Sequence, residues 1–255
     1  LPTWMAALRH TSATSTTAYG GALLIIAAAS AAGVLPLLWL GNTRSGQRSA
    51  FAPLHYFAEQ KGLLTRLVLP MLVTSIGAGL IMPFMNIFFR DAHHQSDPVI
   101  GSVFAWGSLA MGIGLMLAPP LADRFGKIQI VVITQGLSIP FLILLGFSPW
   151  FSACAAAYFI RLALMNMSGP IYQTYVMEKD EPESRGTVAS LVSMANSFGW
   201  AFSPLISGWL QVNYGFQPVF LGTILLYILT VYLYWAFFWR SAPKENQLSP
   251  IPAKI

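Results

Sequence analysis

A single arginine, Arg161, stands ten residues past Phe151 in a stretch, Phe151 to Met177, that carries no other charged side chain. If that stretch is a membrane helix rising about 1.5 Å per residue, the guanidinium lies roughly 15 Å deep, near the middle of a hydrocarbon layer about 30 Å thick. A charge at that depth is costly and must face protein or water. Two readings stand. In one, Arg161 binds an anionic group of a small-molecule substrate or pairs with a carboxylate outside this chain. In the other, it is a structural tie to backbone carbonyls or snorkels outward. Asn86, Gln135, Asn166 and Asn196 sit in four apolar stretches and could supply donors and acceptors to a shared substrate cavity. Each of them read singly is also an ordinary interhelical hydrogen bond. Trp106 and Trp200 could form an aromatic wall to that cavity, or pack.

Other chemistry is poorly served. No Asp or Glu lies deep within an apolar stretch, so a proton carrier would have to lie outside this chain or at its rim, at Asp91 or Asp97. His93 and His94 adjoin those two acids, but neighbouring ligands on a short loop satisfy no metal-ligand spacing. Cys154, the one cysteine, lies inside an apolar block, which rules out a disulfide framework or thiolate metal site and suits a small buried packing residue. The acidic run Glu178, Asp180, Glu181 and Glu183 reads as a solvated face. No glycine-rich stretch ends in Gly-Lys-Ser or Gly-Lys-Thr, so nothing points to an ATP-driven pump. No cofactor or metal is expected, and no cluster of carboxylates or histidines at one depth suggests an enzyme.

The elements that must position these residues are membrane helices. Of 255 residues, 55% are hydrophobic and 9% charged, where a soluble domain carries about 25% charged residues. The apolar residues arrive in blocks near Ala18–Leu40, Leu67–Phe89, Pro98–Leu121, Ile130–Phe147, Phe151–Met177, Thr187–Trp209 and Pro218–Trp239. Each is long enough to span a bilayer. The net charge of +5 does not indicate nucleic acid, because the bases sit in loops between apolar blocks, where anionic lipid headgroups are the fitting partners.

Alternate loops differ in charge. One side collects Arg44, Arg48, Lys61, Arg66, Arg124, Lys127, Lys179, Arg185, Arg240, Lys244 and Lys254; the other holds Arg9 and Arg90. Lys and Arg accumulate in cytoplasmic loops, which predicts an outside N-terminus, a cytoplasmic C-terminus and an odd number of crossings. The prolines within the blocks, among them Pro36, Pro70, Pro83, Pro119, Pro120, Pro140, Pro170 and Pro204, serve packing bends or gating bends, and the sequence does not choose between them. Between the first block and the rest, Phe51 to Leu64 could lie as an amphipathic helix on the membrane surface.

The segment Leu121-Ala122-Asp123-Arg124-Phe125-Gly126-Lys127 resembles the signature loop of the major facilitator superfamily, with Pro119 in place of the usual leading glycine and Ile128 in place of a second base. Gly126 permits a tight turn there, and Asp123 can pair with a base or cap a helix. Pro182-Glu183-Ser184-Arg185-Gly186 is similar to the entry of the family's eleventh helix. Ser197-Phe198-Gly199-Trp200, Gly208-Trp209-Leu210 and Tyr214-Gly215-Phe216 are similar to that helix and the start of the twelfth. The resemblance implies an all-α membrane protein of the major facilitator fold, one six-helix half plus the last helix of the N-terminal half. Residues 1–40 would be an outer loop and that last helix, 41–66 the cytoplasmic central linker, 67–239 the C-terminal six-helix bundle and 240–255 a cytoplasmic tail.

The chain, opening on Leu1, is then expected to be part of a longer plasma-membrane protein whose missing N-terminal half is its main partner. The implied function is secondary active transport of a small organic solute by alternating access, with protons as a candidate coupling ion and efflux as a candidate direction. Asp123, Arg124, Gly126, Lys127 and Arg185 would form the gating end, Asp123 with Arg185 helping to hold one closure. The alternatives are a seven-helix receptor, for which the last span lacks a retinal lysine and the chain lacks an outer disulfide, and a non-transporting scaffold.

Overall fold

The computed structural model describes residues 61–179 and 185–239, together with Leu24, Ile25, Ala27 and Ala28. The chain divides into two compact units, Leu1–Ser49 and Ala50–Ile255. In the first unit the four described residues are helical, and the rest of the expected helix at Ala18–Leu40 lies outside the described residues. So do residues 41–60 of the expected linker and the expected tail, 240–255.

In the second unit the described residues contain helices and no strand. They run α1 (Lys61–Ile81), a 3-10 turn (Met82–Phe84), α2 (Met85–Asp91), α3 (Asp97–Phe125), α4 (Lys127–Phe147), α5 (Phe151–Lys179), α6 (Arg185–Tyr214) and α7 (Gln217–Tyr234), closed by a π-helical turn (Trp235–Trp239). Every apolar block from Leu67 onward is thus a helix. The first reaches back at least to Lys61, six residues before its apolar stretch, with Lys61 and Arg66 on the helix beyond that stretch and Leu64 and Leu67 fully buried. Five of these spans are long and apolar enough to cross a membrane: Lys61–Asp91, α3, α4, Phe151–Glu178 and Gln217–Trp239. The sixth helix, α6, has the length but is diluted by serines and an asparagine.

The helices pack α1 on α6, α5 on both α3 and α4, and α7 on α1 and α4. Small residues set the close crossings, as membrane helices require where no hydrophobic gain separates protein from lipid. A Cβ on Gly114 would stand 2.8 Å from the Ala163 carbonyl oxygen of α5, and one on Gly79 would stand 2.9 Å from Ser203 Cβ of α6.

Proline leaves the helices continuous at Pro70, Pro119, Pro120, Pro140, Pro170 and Pro204 and breaks one at Pro83, inside the 3-10 turn. Each ring removes a donor and crowds the preceding turn. Near two of them a neighbouring helix adds a hydroxyl: Tyr172 of α5 donates to the Leu67 carbonyl, three residues before Pro70, and Ser207 of α6 donates to the Leu80 carbonyl, three residues before Pro83. Both bonds are buried, so Tyr172→Phe and Ser207→Ala are each expected to cost about 0.5–1.5 kcal/mol, the net worth of an intramolecular hydrogen bond. Ser102→Ala, which removes an exposed bond to the Val99 carbonyl of the same helix, is the neutral comparison. Thermal melts of the full-length protein that rank all three alike would refute this role for the two hydroxyls.

Two apolar clusters form the core. One, at the end carrying Arg124, Lys127 and Arg185, joins Leu64, Leu67, Ile128, Val131, Met167, Val188 and Phe238. The other, at the end carrying Arg90, His93 and Asp97, joins Leu80, Met85, Phe89, Leu142, Leu145, Phe220 and Tyr227. Between them lies a waist of buried polar side chains: Ser75 on α1, Thr134, Gln135 and Ser138 on α4, Arg161 and Ser168 on α5, and Thr223 and Thr230 on α7.

Candidate functional site: a polar waist and a hydroxyl face

The waist follows from heptad-like spacing. On α5 the residues Tyr158, Arg161, Met165, Ser168 and Tyr172 recur at intervals of three and four, which keeps them on one helix face; on α7 the same spacing aligns Thr223, Tyr227, Thr230 and Tyr234. The two faces meet. Arg161 Cζ lies 5.1 Å from the centroid of the Tyr227 ring, and the Tyr172 and Tyr234 rings stand edge to face at 5.0 Å. Gln135 donates to Ser168 Oγ at 3.3 Å, and Thr74 Oγ1 reaches Thr230 Oγ1 at 3.4 Å.

Arg161 is 1% exposed, so it neither snorkels nor opens onto the surface, and its Nε, Nη1 and Nη2 have no hydrogen-bond partner among the described residues. Among those residues no backbone carbonyl supplies the tie that the sequence left open. Two more buried atoms of the waist, Tyr227 Oη and Gln135 Oε1, are likewise without a described partner.

The other expected cavity residues are dispersed. Gln135 is buried in the waist; Asn166 is half-buried and donates to the Leu162 carbonyl of its own helix at 2.8 Å; Asn196 is half-buried on α6; Asn86 is exposed on α2; Trp200 is 41% exposed on α6. Trp200 belongs to a face not anticipated from the sequence. Ser190, Ser193, Ser197 and Trp200 repeat at three and four residues and are all exposed, with Asn196 beside them. Their heptad spacing was the available signal, hidden because serine counts as neither charged nor strongly polar in hydropathy.

At the basic end, Gly126 joins α3 to α4 at φ 91°, a left-handed conformation that favours glycine; a Cβ there would meet only the end of the Gln129 side chain, which can swing aside. Asp123 and Arg124 are exposed in the last turn of α3, the guanidinium lying 5.4 Å from the centroid of the Phe125 ring. Lys127 pairs with Glu178 near the end of α5, which ties the loop to that helix; Glu178 is therefore more than a solvated acid. Arg185 is exposed in the first turn of α6.

At the opposite end, Arg90 pairs with Asp97 across the α2–α3 loop. His93 is enclosed by the rings of Phe88, Phe89 and Phe151, and its Nε2 lies 3.3 Å from the buried Cys154 thiol. Burial, and secondarily the charge of His94, hold His93 below its ordinary value of 6.5. A histidine with a depressed native pKa contributes stability that is complete above about 6.5 and is lost as pH falls through its folded pKa, because the unfolded chain then binds the proton more readily. The difference in melting temperature between the full-length protein and its His93→Gln variant is accordingly expected to be largest at pH 7–8 and to shrink toward pH 5. A difference independent of pH would show that the imidazole is not held neutral. Among the described residues no group of three His, Cys, Asp or Glu stands close enough to hold a metal ion.

Residues 67–254 match the Major Facilitator Superfamily. Multidrug resistance protein MdtG of Proteus mirabilis is 24% identical over 186 residues, 71% of this chain and 46% of that protein. NiaP of Bacillus subtilis, a niacin/nicotinamide transporter candidate by its name, is 32% identical over 153 residues, 59% of this chain and 36% of that protein. The chain thus spans about half or less of the length of these relatives. A crystal structure of a mutant of the nucleoside transporter NupG superposes with a TM-score of 0.66 at 17% identity, covering 92% of this chain and 63% of that one, a likeness of fold.

Proposed function

Because the chain belongs to the major facilitator superfamily, we propose that it forms the C-terminal portion of a multi-pass transporter that moves a small organic solute by alternating access, as proton-coupled efflux. The observation that carries the reading is the exposed hydroxyl face of α6, with Ser190, Ser193, Ser197 and Trp200 on one side of a helix bundled among apolar spans. Polar side chains at membrane depth belong against protein or a water-filled path rather than lipid. Large apolar residues flank this face, Phe198 and Phe202 among them, and their rings lie 4.5 Å apart. A path lined by hydroxyls and aromatic rings suits amphiphilic organic solutes, in keeping with relatives named for multidrug resistance and for niacin or nicotinamide.

In this reading residues 1–40 and 41–66 supply the last helix of the other half and the central linker, with the basic end cytoplasmic. Asn196 and Trp200 line the path, Asn86 stands toward one mouth, and Asp123, Arg124, Gly126, Lys127 and Arg185 form the gate at the other. Asn166, Gln135 and Arg161 support the path from within. The test is flux through the full-length protein in proteoliposomes under an imposed pH gradient, with nicotinate and a fluorescent amphiphilic dye as probes. Uphill movement of either probe that collapses with the gradient and falls at least tenfold in Trp200→Ala supports the proposal. Flux that ignores the gradient removes proton coupling, and no flux of either probe from folded protein removes the solute assignment.

A further inference from the structure

The waist holds a cation for which the described part of the unit provides no anion. The side chain of Arg161 is buried along its whole length. No described carboxylate can reach it. Along α5, Glu178 is 17 residues away, about 25 Å at helical rise. On α3, Gly107 abuts Tyr158 and Leu162, which flank Arg161 in the sequence; Asp97 lies ten residues, about 15 Å, from that level and Asp123 sixteen residues, about 24 Å. Gly77, which abuts Tyr227 on the far side, is 14 residues from Asp91, roughly 21 Å along the span. One face of the guanidinium is covered by the Tyr227 ring, while its nitrogens and the Tyr227 hydroxyl are all donors left without acceptors. The five unpartnered buried polar atoms of the described residues all belong to Arg161, Tyr227 and Gln135, four of them to the Arg161–Tyr227 pair.

We propose that Arg161 and Tyr227 form a binding site for a small monovalent anion, held by the guanidinium edge and the phenolic hydroxyl inside the six-helix unit. The shared chemistry is a single negative charge with lone pairs in reach of two or more donors. It can come as a halide from solution or as the carboxylate of an organic solute, to which the planar guanidinium offers paired donors. The site lies between α5 and α7 and does not depend on the hydroxyl face of α6 carrying solute, so its test reads binding rather than flux.

The experiment is a thermal melt of the full-length protein in detergent. Sodium isethionate sets the ionic strength, and sodium chloride or sodium benzoate replaces it at a constant total. A ligand that binds only the folded protein raises the melting temperature, and a rise of about 5 °C is expected at an anion concentration about a hundredfold above the dissociation constant. The rise should vanish in Arg161→Gln and shrink in Tyr227→Phe, which keeps the ring over the guanidinium and removes only the hydroxyl; the second variant tests the site even if the first does not fold. A response to chloride alone supports a free halide, a response to benzoate alone a solute carboxylate, and a response to both the shared site. No response to either salt overturns the proposal and leaves the donors to water, and a response untouched in both variants overturns it by placing the anion elsewhere.

Discussion

Replacing Gly199 with valine is expected to abolish folding of the full-length protein, and replacing it with alanine to lower its melting temperature by several degrees. The reason is the crossing of α1 and α6. A Cβ at position 199 would run into the Ser75 hydroxyl and would stand 2.7 Å from the Ile76 nitrogen and 2.8 Å from the Ser75 carbonyl carbon. Two of those three atoms are backbone, which cannot swing aside as a side chain can. Ser75 is itself fixed, 1% exposed, its hydroxyl bonded to the Leu72 carbonyl at 2.9 Å and reaching the Ala195 carbonyl of α6 at 3.3 Å. Overpacking a tight core costs about 1–3 kcal/mol for small additions and more when backbone must move. The comparison is Gly222→Ala on α7 or Gly101→Ala on α3, where a Cβ meets nothing within 4 Å. There the gain in helix propensity of up to about 1 kcal/mol should leave the protein unchanged or slightly more stable. Detergent melts in which Gly199→Ala and Gly222→Ala coincide would mean that α1 and α6 do not approach so closely.

Spans and crossings differ in how far the sequence discloses them. Six helices of the second unit were legible because hydropathy integrates over some twenty residues, and both ends of a span lie near charged or turn residues such as Arg90, Asp97, Gly126 and Gly215. Helix α1 reaches back at least to Lys61, past its apolar stretch, for the same reason: hydropathy measures fitness for lipid, and Lys61 to Arg66 are helical without forming part of an apolar run. Helix α6 shows the converse. Its serines lower its hydropathy below that of the other spans, yet Thr187 to Trp209 still read as an apolar block of spanning length, and Arg185-Gly186 and the run Ser197 to Trp200 added the likeness to the family's eleventh helix. Pairings across the bundle were not legible. Nothing in spacing alone says that Arg161 turns toward Tyr227, 66 residues further on, or that Lys127 reaches Glu178, because such contacts depend on which helices become neighbours. The sequence left the direction of Arg161 open; packing turned it inward, to the waist.

That inward placement leads to an expected separation of stability from function in Arg161→Met. Methionine has nearly the length of the arginine stem and fills an irregular space readily, so the exchange removes the charge with little loss of packing. Replacing buried charges by apolar groups of similar volume is often neutral or stabilising by about 1–4 kcal/mol, and here no described partner is orphaned by the change, since the guanidinium nitrogens bond to none of the described residues. What is given up is the contact with the Tyr227 ring at 5.1 Å, worth about 2 kcal/mol when desolvated, against the cost of a bare charge near mid-membrane, about 2.5–3.5 kcal/mol on insertion scales. The balance favours methionine by roughly 1 kcal/mol where the waist holds no anion. In isethionate, Arg161→Met should therefore melt at or slightly above the temperature of the unmodified protein, and solute flux through it should fall by at least tenfold. A cation retained for stability alone would give the reverse, a melting temperature lowered by several degrees with flux preserved in whatever protein remains folded.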